Sequence, residues 1–242
     1  IDIRVLRGSI MHKRQDVLII IPAYNEEGSI ENVVKNLEEN YSEFDYVVVN
    51  DGSKDNTKKI CEQNNFNLID LPINLGLAGG FRAGMKYAYK MGYKYAVQFD
   101  ADGQHRPEFI SDMKKISESG VDIVIASRFA EKKKPLSMRM LGSRLISTAI
   151  KITTGKRVKD PTSGMRMFNS KMIKECATNI NYGPEPDTVS FLIKNGASVA
   201  EVQATMDERT TGESYLNAFK SISYMVRMLI SIIVIQNFRK RG

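Results

Sequence analysis

Tyr95-Ala-Val-Gln-Phe-Asp-Ala-Asp-Gly-Gln-His-Arg-Pro-Glu108 joins a short apolar run to two carboxylates one residue apart. Alternate side chains of a strand point the same way. Asp100 and Asp102 therefore share one face at a strand's carboxyl end, where open α/β sheets bind their ligands. Two carboxylates suit Mg²⁺ or Mn²⁺ held partly through a substrate's phosphates. A bare Asp-x-Asp is equally an acidic turn, so the surrounding chain has to decide.

Upstream lie three more apolar runs, over 16–21, 46–50 and 66–71, and downstream a fifth over 122–126. Helical spacing fills the intervals at 26–40, 53–64, 79–91 and 107–119. Short continuous apolar strands alternating with helices predict an α/β domain, doubly wound, with a mostly parallel sheet covered on both faces. After Arg128 the pattern loosens. Helices are expected over 137–153, 171–177 and 188–195, a strand over 198–205, and a long final helix over 215–236. The stretch 160–166 reads as a turn-rich loop.

The chain has 242 residues, 42% hydrophobic and 26% charged, with a formal net charge of +7. That is enough for one large domain with a sizeable core. Residues 1–14 are expected to be a leader, 15–212 the main domain, and 213–242 an amphipathic helix with a basic tail. Cys61 and Cys176 match no metal or redox spacing and read as buried small apolar residues. Two histidines exclude a multi-histidine metal site. The positive balance favours anionic partners such as nucleotide diphosphates, lipid phosphates or an anionic membrane surface. No helix-turn-helix, zinc or RNA-binding signature supports nucleic acid.

Each early strand ends in polar residues, and strand ends gathered on one rim form a ligand crevice. Tyr24 can stack on a base or ribose. Glu26 and Asp51 can accept from a base or ribose hydroxyls, although Asp51-Gly52-Ser53 also reads as a plain turn and cap. Gly76, Gly79 and Gly80 allow a phosphate close to a helix start, and Arg82 adds charge one turn in. Neither the dinucleotide-binding glycine pattern nor a P-loop is present.

Together, Pro22-Ala-Tyr-Asn-Glu26, Val48-Val-Asn-Asp-Gly-Ser53, Asn74-Leu-Gly76 and Asp100-Ala-Asp-Gly-Gln-His105 resemble family 2 glycosyltransferases of the GT-A fold. Asp100-x-Asp-Gly-Gln-His105 with Asp160-Pro-Thr-Ser-Gly164 resembles the dolichyl- or polyprenyl-phosphate sugar synthases within them. The resemblance implies that Pro22, Tyr24, Glu26 and Asp51 hold the nucleoside. It places Asp100, Asp102 and Gln104 on the metal and diphosphate, and it implies inversion at the anomeric carbon. His105 is expected to shape the turn or touch the acceptor side, not to bind metal.

Arg128 follows a strand end and is expected on the same rim. Ser163 and Arg166 could donate to an anion, or belong to an ordinary loop. A sugar hydroxyl normally needs a carboxylate base. A lipid phosphate, with its second pKa near about 6, needs only positive groups to position it. Glu185 or Asp187 in Gly183-Pro-Glu-Pro-Asp187 is the candidate base for a hydroxyl acceptor. Arg209 is expected in a segment closing over the diphosphate, or in a plain connector. In the final helix Lys220, Ser223, Arg227 and Ser231 form one polar stripe on an otherwise apolar helix. Such a helix lies in a membrane interface, packs on a small membrane-protein partner or a second copy, or is buried by the domain.

The resulting expectation is a metal-dependent, inverting transferase, cytoplasmic and peripheral on the inner face of the cell membrane. It moves a hexose from a nucleotide sugar, UDP- ahead of GDP-linked, to a polyprenyl phosphate. The alternatives are transfer to a glycan hydroxyl, a nucleotidyltransferase lacking its usual glycine-rich loop, and a non-catalytic nucleotide-sugar-binding subunit.

Overall fold

The computed structural model describes residues 15–135, 137–180, 182–207 and 218–239, so the expected leader over 1–14 lies outside the described residues. Seven strands form one sheet: β1 (Val17–Ala23), β2 (Asp45–Asn50), β3 (Leu68–Asp70), β4 (Tyr95–Gln98), β5 (Ile123–Ser127), β6 (Arg166–Asn169) and β7 (Val199–Gln203). Their order is β3-β2-β1-β4-β6-β5-β7. All neighbours are parallel except β6, which runs antiparallel between β4 and β5. The carboxyl ends of β1, β2, β4 and β5 and the start of β6 therefore share one edge.

The eight helices are α1 (Ile30–Asn40), α2 (Thr57–Gln63), α3 (Gly76–Met91), α4 (Ile110–Glu118), α5 (Met138–Thr154), α6 (Ser170–Thr178), α7 (Pro186–Lys194) and α8 (Ala218–Ile233). β1 explains the layering. Leu18 and Ile20 enter one core with residues of α3, α5, α6, α7 and α8. Val17, Ile19 and Ile21 enter the other with α1, α2 and α4. A strand buried on both faces reads as an unbroken apolar run, which is why it was legible. Cys61 and Cys176 are buried in these cores, and burial pushes both thiols up to about 12.

Several expectations need correcting. The helices expected from 26 and 53 start at Ile30 and Thr57, four residues late. The stretch 160–166 does not stay a loop; its last residue opens β6. This strand has four residues and begins with an arginine, so it carries little apolar signal. The third helix starts at Gly76, three residues early, where the Asn74 side chain accepts from the Gly76 N–H at 2.9 Å. The last helix ends at Ile233 and tightens into a 3₁₀ turn over Ile235–Asn237, while its expected start at Tyr215 lies outside the described residues.

α3 sits close on β1 because Gly84 has no side chain. A Cβ there would stand 2.2 Å from Ile20 Cγ2, and Ile20 is fully buried. Gly84→Ala should therefore cost about 1–3 kcal/mol through overpacking. Chemical denaturation checks this; an unchanged midpoint would show that the helix is free to lift.

Candidate active site

The donor side of the rim is built by two loops laced together. Asn25, at φ 57°, turns the chain after β1. Its N–H donates to Ser53 Oγ at 3.0 Å, and its Oδ1 accepts from the Lys54 N–H at 2.8 Å. The Glu26 N–H donates to Thr57 Oγ1, and Glu26 Oε2 accepts from the Ser29 hydroxyl. Pro22, Tyr24 and Glu26 are half-buried along this edge.

Asp51 is buried and accepts from the Leu75 N–H at 2.8 Å. Burial raises its proton affinity, and the N–H groups of Leu75 and Gly76 offset only part of that. Gly52 (φ 65°) lies against the Ile73–Asn74 backbone, 2.6 Å from a Cβ position to Asn74 N. A Cβ on Gly80 would stand 3.5 Å from Pro22 Cβ and 3.9 Å from Asp51 Cβ. The first turn of α3 thus brings Pro22, Asp51 and Gly80 together. Gly79 serves local packing, since a Cβ there would meet that of Leu75 at 2.2 Å. Arg82 lies half-buried beyond it, with Nε lacking a hydrogen-bond partner among the described residues.

The acidic turn follows β4. Asp100 keeps a side chain 37% exposed. Asp102 is buried, and its Oδ1 accepts from the Gln104 N–H at 3.0 Å across Gly103, whose φ is 79°. Gln104 donates through Nε2 to the Asp207 carbonyl at 3.3 Å, and Arg106 grips the Asp207 carboxylate through Nε and Nη2. No cluster of three or more His, Cys, Asp or Glu that could hold a metal occurs among the described residues. A Cβ on Gly164 would come within 2.8 Å of Asp100 Oδ2, so the loop before β6 packs directly on the first carboxylate.

Arg128 reaches the rim, but its guanidinium is engaged. Nε and Nη2 donate to the two oxygens of Asp160, each at 2.8 Å, and Nη2 also donates to Thr162 Oγ1. Asp160 is 0% exposed and Arg128 23%. Burial works against ionised Asp160, but the hydrogen bonds and charge of Arg128 outweigh it and hold the carboxyl below its usual range. Ser163 donates to the Ala126 carbonyl at 2.6 Å. Arg166 is buried, with Nη1 on the Pro184 carbonyl at 2.6 Å and Nη2 on that of Pro161 at 2.8 Å. In the loop expected as an anion cradle, Ser163 and Arg166 thus direct these donors to backbone carbonyls.

Positive charge gathers next to them. A cavity of about 730 Å³ is lined by Lys132, Lys133, Lys134, Arg144, Lys151, Arg157 and Lys159, against one acid, Glu131. The basic residues stand out in the sequence, but no spacing announces that the post-β5 loop, α5 and the 155–159 turn wrap one space.

The two candidate bases meet α8. Asp187 is buried and accepts from the Ser231 hydroxyl at 2.6 Å and from Arg239 Nη2 at 2.5 Å. Arg239 also lies over the Tyr182 ring, 4.0 Å from its centroid. Burial raises the proton affinity of Glu185, partly offset by Arg227 at 3.2 Å. Arg227 and Ser231 of the polar stripe thus reach back to α7. Ile222, Val226, Ile230 and Ile233 of the same helix are exposed. Among the described residues no helix is long and apolar enough to cross a membrane. Arg209 lies outside the described residues.

The model of the glycosyl transferase family 2 matches residues 18–177. The UDP-N-acetylglucosamine–dolichyl-phosphate N-acetylglucosaminyltransferase of Methanococcus voltae is 33% identical over 210 residues, covering 77% of this chain and 83% of that one. The polyprenol monophosphomannose synthase of Mycolicibacterium smegmatis is 27% identical, covering 84% and 82%. Among solved structures, glucosyl-3-phosphoglycerate synthase from Mycobacterium tuberculosis, in complex with Mn²⁺, UDP and phosphoglyceric acid, superposes with a TM-score of 0.67. It is 15% identical and covers 92% of this chain and 78% of that one. The chain belongs to the family 2 glycosyltransferases and has their GT-A type α/β fold.

Removing Arg128 would strand a buried carboxylate. Arg128→Ala should cost about 3–5 kcal/mol at neutral pH. The sign follows from linkage. Paired Asp160 has a depressed pKa, so its contribution is present above the unfolded value of 3.8 and is lost as pH falls through the folded value. Unpaired, its pKa is raised by burial, so the variant's deficit should shrink as pH falls. Urea unfolding of both proteins between pH 7 and pH 4 checks this; a pH-independent deficit would remove Asp160 as the cause.

Proposed function

We propose that this chain transfers a hexose, with inversion, from a nucleotide sugar to a polyprenyl phosphate. A UDP-sugar is the favoured donor, in keeping with the name of the methanococcal relative. The observation that carries the acceptor is the cation-lined cavity beside the end of β5.

The donor would lie along the first half of the rim. Tyr24 would stack on the base or ribose, while Pro22, Glu26 and Asp51 shape that end of the crevice. The first turn of α3 with Gly79 would offer donors to the diphosphate, and Arg82 would add charge one turn further in. Asp100, Asp102 and Gln104 fit a hard divalent cation, Mg²⁺ or Mn²⁺. Among the described residues no third acid joins the two carboxylates, which would leave room for diphosphate oxygens. Such an ion, when bound, supplies positive charge to the departing nucleoside diphosphate.

A phosphate monoester is already ionised at neutral pH and needs no proton removed. What it needs is charge and orientation. Arg144 and Lys151 of α5, with the Lys132–Lys134 loop, supply the charge. Arg128, Ser163 and Arg166 contribute by fixing the loop that faces Asp100. The engagement of Asp187 by Ser231 and Arg239 weighs against its use as a base. Glu185, with its raised proton affinity, keeps the hydroxyl-acceptor reading testable. The outward apolar residues of α8, with exposed Leu141, Leu145 and Ile152 on α5, support a peripheral seat on the inner membrane face. A small membrane-protein partner or a second copy is the competing occupant.

Purified protein with Mn²⁺, a panel of radiolabelled UDP- and GDP-sugars and undecaprenyl phosphate should give an organic-extractable product. Asp102→Asn should lower that rate by about 100-fold or more; a wild-type rate would sink the metal assignment. Arg144→Ala with Lys151→Ala should raise KM for the lipid phosphate by about 10- to 100-fold and leave KM for the donor unchanged. Glu185→Gln should retain transfer. Collapse of that variant with donor binding intact would favour a hydroxyl acceptor.

A further inference from the structure

His105 is buried one residue past the acidic turn's last proposed ligand, and nothing in the donor or acceptor chemistry above uses it. Its side chain is 3% exposed. The ring stands edge-on to Phe99, with centroids 5.4 Å apart and an interplanar angle of 76°. Gly164 closes the other side: a Cβ there would lie 3.2 Å from Cε1 and 3.3 Å from Nε2. Phe99 and Gly164 thus hold the imidazole on two sides, at the edge of a cavity of about 260 Å³ that Ser29 and Asn32 also line.

Both ring nitrogens address one residue. Nδ1 accepts from the Asp100 backbone N–H at 2.9 Å. Nε2 stands 3.4 Å from Asp100 Oδ2. An accepting Nδ1 carries a lone pair, so the hydrogen-bond pattern assigns the ring proton to Nε2. The N–H edge then faces the carboxylate oxygen, an electrostatic contact slightly longer than an ordinary hydrogen bond. No ring lone pair is left for a metal. Of the roles expected from the sequence, shaping the turn is the one this geometry supports.

We propose that His105 is a positioning residue that sets the Asp100 carboxylate for the divalent cation. One rigid ring fixes the backbone of Asp100 at one end and its side chain at the other. An exposed carboxylate at the end of a four-residue strand would otherwise sample several rotamers. The Gly164 backbone, with no Cβ to displace Oδ2, completes the slot. The proposal rests on the assignment of Asp100 and Asp102 as metal ligands. Outer partners of metal ligands commonly change metal affinity by about 10- to 100-fold.

Two variants separate orienting the carboxylate from merely shaping the turn. In His105→Asn the amide oxygen can replace Nδ1 as acceptor, but nothing reaches the carboxylate. In His105→Gln the longer amide can place an N–H near the Nε2 position. Binding of Mn²⁺ alone, and of Mn²⁺ with UDP, would be titrated by electron paramagnetic resonance, with thermal unfolding in parallel. His105→Asn should melt near wild type yet bind Mn²⁺ about 10- to 100-fold more weakly, and His105→Gln should recover part of the loss. Wild-type Mn²⁺ affinity in His105→Asn would overturn the proposal. Equal Mn²⁺ binding by wild type and Asp102→Asn would instead remove the metal assignment beneath it, and the proposal with it. Should the variants not fold, the wild-type protein still decides. The chain has only two histidines, His12 and His105. Long-range ¹H–¹⁵N spectra should show His105 protonated on Nε2 alone, and a proton on Nδ1 would overturn the assignment.

Discussion

Asp160 is a carboxylate with no access to water, and it stays charged because Arg128 meets both of its oxygens. Its Oδ2 also accepts from the Arg128 backbone N–H at 3.1 Å, and Oδ1 from the Thr162 hydroxyl. Glu201, on β7, accepts from the N–H groups of Lys159 and Asp160, each at 2.7 Å. Three pieces of chain far apart in sequence are therefore pinned at one point. An interaction of this kind is a poor source of net stability but a strong constraint on geometry, because losing either partner leaves a charge without solvent. Gly164 and Arg166 follow within six residues, so the packing against Asp100 inherits its position from this pair.

The two halves of the sheet then take different duties. Parallel strands β1 to β4 present turns whose side chains are mostly held by neighbouring loops, as Asp51 is by Leu75 and Asn25 by Ser53 and Lys54. Such turns form a rigid edge suited to a nucleotide. The half beyond β4 carries the concentrated positive charge, and the buried Arg166 donates to two backbone carbonyls. α8 turns Arg227 and Ser231 toward the acids of α7 and leaves several branched apolar residues outward. The helix also buries Met228 and Ile232, so apolar residues lie on both its inner and its outer side.

Much of this was legible from local pattern. β1, β2, β4 and β5 are apolar runs closed by polar turns, and pattern alone placed each within a residue or two. The α/β class and the family both followed from them. β6 was not legible, because what makes Arg166 tolerable in a core is remote: the carbonyls of Pro161 and Pro184. Arg128 could be put on the rim from its place after a strand. Its partner, 32 residues on, could not be read from composition or spacing. The polar stripe of α8 was visible as a period, yet a period does not say which side faces the protein. The cationic cavity shows the same gap, since clustering in sequence does not predict convergence in space.

The antiparallel insertion of β6 has a consequence for length. Strands in a sheet lie about 4.8 Å apart, so β4 and β5 stand roughly 9–10 Å from one another instead of side by side. The acidic turn hangs from one and the basic loop from the other. The extra strand therefore sets the acidic turn and the basic loop two strand spacings apart instead of one.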